Sequence, residues 1–234
     1  MESRTFGEPA GAREAGHDLL VALAGRLPDR LVWRLRDWLG AEAHAALRTA
    51  LPRTLLRHRV GVTDHERALL DAVVTAWGGA PRLVDAVLRA ESAPEPAATF
   101  AARRDATGWD RADLVLRASV PGFDEVRELR RAWRTDHVAR RAAPLPPVRV
   151  LLIRADGHLP EIAATAGRTL RAFGEVPCVE VVGASTPITG YHREAFAASE
   201  PLWVRTPSGA AAGTAGASGP STEADPAPEL VGHG

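Results

Sequence analysis

The chain predicts a mixed α+β protein in two parts, a helical bundle followed by a small βαβαβ unit with a parallel, Rossmann-like sheet. Three observations predict it. Apolar residues recur at helical spacing through residues 14–90. Beyond residue 147 the period changes to nearly continuous apolar runs, and an amphipathic stretch of helix length separates two of them.

Residues 1–13 lack periodicity and are expected to be a loose leader. From His17, Leu19, Leu20, Leu23 and Leu27 form one helical face, and Leu31, Leu35, Trp38 and Leu39 form the next, closed by Gly40. Pro28, Pro52 and Pro81 each stand where a helix is expected to open, a position at which the missing N–H costs nothing. Thr63-Asp64-His65-Glu66 matches a capping box, and the helix it opens carries Leu69, Leu70, Val73, Val74 and Trp77 before stopping at Gly78-Gly79. A short helix with Leu83, Val84, Val87 and Leu88 completes a bundle over 14–90.

Residues 91–108 read as a linker with a short strand at Thr99–Arg103. The segment 109–140 reads as helical, with Val126, Leu129 and Trp133 on the buried face of its second helix, and 141–147 as a stiff proline-rich connector. The α/β domain spans 148–206: strand Val148–Ala155, helix Leu159–Phe173, strand Val176–Val182, helix Gly190–Ser199 and strand Pro201–Thr206. A helix of that length between the first two strands requires them to be parallel, and the Val148 strand, the most apolar, should be central. Residues 207–234 hold almost no large apolar side chain and are expected to be a disordered tail.

Composition excludes whole classes of chemistry. The 29 basic residues balance 29 acidic ones and every one is arginine, since the chain has no Lys, Asn or Gln. Those three residues have A-rich codons, which points to a high-GC, actinobacterial gene. Without lysine there is no P-loop phosphate ligand, no Schiff base and no kinase-type ATP lysine. The single cysteine, Cys178, makes no internal disulfide, and no run reaches the roughly 18 apolar residues of a membrane span, so a cytoplasmic address is expected. No metal centre and no cofactor are expected either, because the histidines are scattered and no ligand spacing occurs.

The residues that carry candidate chemistry lie in the turns after the parallel strands, where open α/β sheets bind ligands. Asp156, Gly157 and His158 follow the first strand; Ser185 and Thr186 follow the second; Tyr191 and His192 open the next helix. A second candidate set, Arg127, Arg130, Arg131 and Arg134, would form a phosphate-contacting stripe if its segment were helical, although Glu125, Glu128 and Asp136 oppose it. The helices around Thr63 and Pro81 loosely suggest a helix-turn-helix, but Arg82 and Arg89 are the second helix's only cations. With charge balanced and no catalytic motif, the leading expectation is a non-enzymatic interaction or regulatory protein that docks a protein partner through its helical surface. The alternatives are a small-molecule or nucleotide-handling module using the strand-end turns, and a DNA-associated regulator.

Overall fold

A computed structural model describes residues 9–95, 97–102, 110–137 and 146–206. The N-terminal part consists of α1 (Pro9–Ala22), α2 (Asp29–Gly40), α3 (His44–His58), α4 (Asp64–Ala76) and the short α5 (Pro81–Asp85). Their apolar stripes meet in one core in which Leu19, Leu23, Leu39, Leu51, Leu55 and Leu70 are fully buried. Thr63 caps α4 as its sequence requires: its hydroxyl accepts from the Glu66 N–H, and the Glu66 carboxylate accepts from the Thr63 N–H.

Two expectations for this part need correction. Residues 9–13 belong to α1, which starts five residues before the expected boundary because Ala12 is buried and Arg13 pairs with Glu161; residues 1–8 lie outside the described residues. Pro52 sits inside α3 rather than opening a helix. Leu47, Leu51 and Leu55 form one buried stripe across it, and that burial outweighs the N–H that proline lacks.

The C-terminal part comprises β1 (Ala98–Ala101), α6 (Arg111–Ser119), β2 (Val126–Asp136), β3 (Val148–Ala155), α7 (Leu159–Ala172), β4 (Val179–Val182), α8 (Gly190–Ala197) and β5 (Glu200–Val204). The sheet is mixed. β2 runs antiparallel to β3 along one edge, and its other edge is shared by β5 at one end and β1 at the other. β4 pairs with β3 in parallel, so the β3–α7–β4 unit forms as its helix length dictates. β5 does not extend a parallel βαβαβ sheet; it joins β2 antiparallel.

The largest departure from the sequence reading is β2, since the second half of the segment expected to be helical is a strand of 11 residues. A bulge between Val126 and Glu128 shifts the alternation, so Val126 and Leu129 share the core against α6 and α7 despite their helix-like spacing. β3 lies inside the sheet and is covered on both sides. Leu151, Ile153 and Ala155 meet α6 and α7, while Val150 and Leu152 meet α8, Trp33 and Phe100. Residues 138–145, most of the expected connector, and the tail 207–234 lie outside the described residues. No helix among those described is long and apolar enough to cross a membrane.

The helical part rests on the exposed edge of β4. Cys178 O accepts from Leu151 N–H on β3, so strand alternation directs the carbonyls of Val179 and Val181 away from β3. Arg36 of α2 donates to Val179 O at 2.6 Å, and His17 of α1 bonds Val181 O at 3.0 Å. Arg36 also forks onto the Glu180 carboxylate at 3.0 and 2.6 Å, where both residues are buried. Two side chains thus occupy the hydrogen-bonding edge a further strand would use.

Candidate ligand site at the strand ends

The turn from β3 into α7 holds Asp156, Gly157 and His158. His158 precedes the helix in the left-handed region, φ 53°, and its ring faces Glu125 at 3.6 Å. Asp156 accepts from Arg127 Nε at 2.5 Å, and its backbone N–H donates to Glu125 O. The turn after β4 is closed on itself: Gly183 N–H donates to Thr186 Oγ1 at 3.2 Å, and the Thr186 hydroxyl donates to Asp18 Oδ1 at 3.1 Å. A Cβ at Gly183 would lie 2.9 Å from Leu159 Cδ1, so this turn packs directly against the first side chain of α7.

These two turns and α1 line a half-open cavity of about 650 Å³. Asp156, Gly157, His158, Ser185 and Thr186, all expected as site residues, line it together. The third wall is Arg13, Glu14, His17 and Asp18 of α1, which sequence reading missed. A signal was present. Residues 13 and 17, and 14 and 18, are spaced four apart, so four polar side chains share one edge of an otherwise apolar helix.

Comparison with family models, curated proteins and solved structures finds no match for this chain.

Tyr191 and His192 lie elsewhere. Tyr191 is buried edge-on against Phe100, and its hydroxyl accepts from Arg134 at 3.0 Å. His192 donates from Nε2 to Glu180 Oε2 at 3.0 Å and accepts the Thr189 hydroxyl at Nδ1, 2.9 Å away. Burial alone would raise the Glu180 pKa, but the Arg36 guanidinium and the His192 hydrogen bond outweigh it and hold the carboxyl down at about 2. This group fastens α8 and α2 to β4. Cys178, beside it, is buried, and burial pushes its thiol well up, which keeps it protonated.

The four candidate phosphate contacts sit on β2, so they project to both faces of a sheet rather than along one helical stripe. Arg131 is buried between Asp113 and Glu200, and Arg134 between Asp29 and Asp136. Arg130 bonds Glu128 and Ser199, while Arg127 pairs with Asp156 at the cavity rim. Among the described residues no group of three or more His, Cys, Asp or Glu is placed to hold a metal ion.

Proposed function

We propose that this chain is a small-molecule-binding α/β protein whose ligand seats at the carboxyl ends of β3 and β4, beneath α1. In this reading β3–α7–β4 serves as a Rossmann-like unit, and the helical part supplies the wall that an open sheet lacks. The observation that carries it is the cavity of about 650 Å³ formed by both strand-end turns. That volume falls in the range of about 300–1,000 Å³ typical of small-molecule sites, at the place where α/β sheets bind ligands.

The helical docking role expected from the sequence is a separate proposal that the geometry supports less. The apolar faces of α1 to α4 meet one another in their own core. A DNA-associated role has weaker support again, because each of the β2 arginines is engaged by a carboxylate.

A metabolite-library screen by thermal shift tests the ligand-binding reading. Hits should raise the melting temperature of the native chain and lose their effect in Gly157→Phe. A Cβ at Gly157 meets only Glu125 Cγ, at an ordinary 3.7 Å, so the backbone tolerates the change while the ring occupies space at the turn. Hits that stabilise Gly157→Phe equally, or a library without hits, would count against the site.

A further inference from the structure

We propose that Thr189, His192 and Glu180 form a nucleophile–base–carboxylate triad that hydrolyses a short-chain carboxylic ester, an activity independent of the strand-end cavity. The direction of each hydrogen bond follows by elimination. Burial opposes ionisation of Glu180, but Arg36 and His192 hold its carboxyl down at about 2, so at neutral pH it can only accept. The proton of the 3.0 Å bond between them is therefore on His192 Nε2. In the neutral ring Nδ1 is then a bare acceptor, and the Thr189 hydroxyl, 2.9 Å away, donates to it. Glu180 is fixed in turn by the fork of Arg36, at 3.0 and 2.6 Å. A hydroxyl that donates to an imidazole oriented by a carboxylate is the arrangement that activates a weak oxygen nucleophile. Here Nδ1 serves as the base and Nε2 faces the carboxylate, which leaves the roles unchanged.

The surroundings fit those roles. His192 and Glu180 are buried, whereas Thr189 is half-buried and lines a second half-open cavity of about 470 Å³ between α1, the start of α4 and the loop into α8. Thr189 is the N-cap of α8, yet its side chain makes no cap hydrogen bond. The usual work of a threonine at that position is given up for His192. Gly190, next in the chain, also lines the cavity, and its N–H belongs to the first turn of the helix, where charge developing on a carbonyl oxygen is favoured. Ala22, Leu69 and Ile188 give the wall an apolar stretch suited to a short acyl chain.

In the reaction Thr189 Oγ1 adds to the ester carbonyl carbon while its proton passes to His192 Nδ1. The bond from that carbon to the alcohol oxygen breaks, and the departing alkoxide takes the proton from His192. Water then adds to the acyl-threonine, giving its proton to His192, which returns it to Thr189 Oγ1 as the carboxylic acid leaves.

p-Nitrophenyl butyrate and a biotin-linked fluorophosphonate, applied to the full chain, test the assignment. The fluorophosphonate loses fluoride as its phosphorus bonds the attacking oxygen, and peptide mapping should place that adduct on Thr189. Nitrophenolate release should be saturable. Thr189→Val keeps the shape of the side chain without its hydroxyl; it should lose the adduct and about 100-fold or more of kcat, with KM little changed. Thr189→Ser should keep both adduct and turnover. No adduct, an adduct on another residue, or hydrolysis unchanged in Thr189→Val would overturn the triad. Should circular dichroism show Thr189→Val unfolded, the site of the adduct on the native chain decides alone.

Discussion

His17 and Glu180 show how much of this molecule turns on single buried polar groups. Each is nearly solvent-free and joins a helix of the N-terminal part to β4, and each has a folded-state pKa below its ordinary value. The sign follows from proton uptake. Where the folded pKa is depressed the unfolded chain binds the proton first, so stability is present above the ordinary pKa and is lost as pH falls towards the folded one. For His17 that window runs from 6.5 down to about 4, and for Glu180 from 4.5 down to about 2. The urea midpoint should therefore fall in two overlapping stages on acidification. His17→Gln keeps an N–H donor for Val181 O but does not titrate, so its midpoint should stay nearly flat between pH 6.5 and 4.5, above the Glu180 window. A variant whose midpoint falls as steeply as the parent's there would show that His17 is not the titrating group.

At the scale of elements, α2 and α7 pack more closely than ordinary side chains allow. A Cβ on Gly40 would lie 2.3 Å from Ala164 Cβ and 3.2 Å from Pro160 O, so the end of α2 touches α7 at backbone distance. Gly40→Ala should cost about 1–3 kcal/mol by overpacking, despite alanine's better helix propensity. Ala164→Gly in the same chain should recover part of that loss, and a double-mutant cycle in urea measures the coupling. Additive effects would mean that the two positions do not touch. Gly40 was legible in the sequence as a helix stop, which it is, but its second role against α7 was not, because no local pattern encodes which helix will lie alongside. β2 was misread for a related reason. A bulge combined with arginines in buried ion pairs reproduces the spacing of an amphipathic helix, and only the partners Asp113, Asp29 and Glu200 make those arginines tolerable in a strand.

For the whole molecule, the contacts between the helical part and the sheet should make unfolding a single event. The Arg36–Glu180 pair, the His17–Val181 bond and the α2–α7 contact all join the two, and tryptophans report on both: Trp33, Trp38 and Trp77 from the helices, Trp133 and Trp203 from the sheet. Fluorescence and circular dichroism should give coincident urea transitions. Glu180→Gln leaves Arg36 buried without its counter-charge and should move both probes together by about 3–5 kcal/mol. Separated transitions would show two independently stable units. The sequence by itself determined the local elements: the helical stripes, the Thr63 capping box, the β3–α7–β4 unit and the turn residues Asp156, Gly157, His158, Ser185 and Thr186, because periodicity, caps and turns depend on neighbours a few residues away. Only the tertiary structure decided that β2 is a strand, that β5 returns antiparallel to it, and that Arg13, Glu14, His17 and Asp18 complete the cavity. Those outcomes depend on contacts between residues far apart in the chain, such as Leu129 with Trp203 and Asp18 with Thr186, which the burial of shared surface selects and no local spacing records.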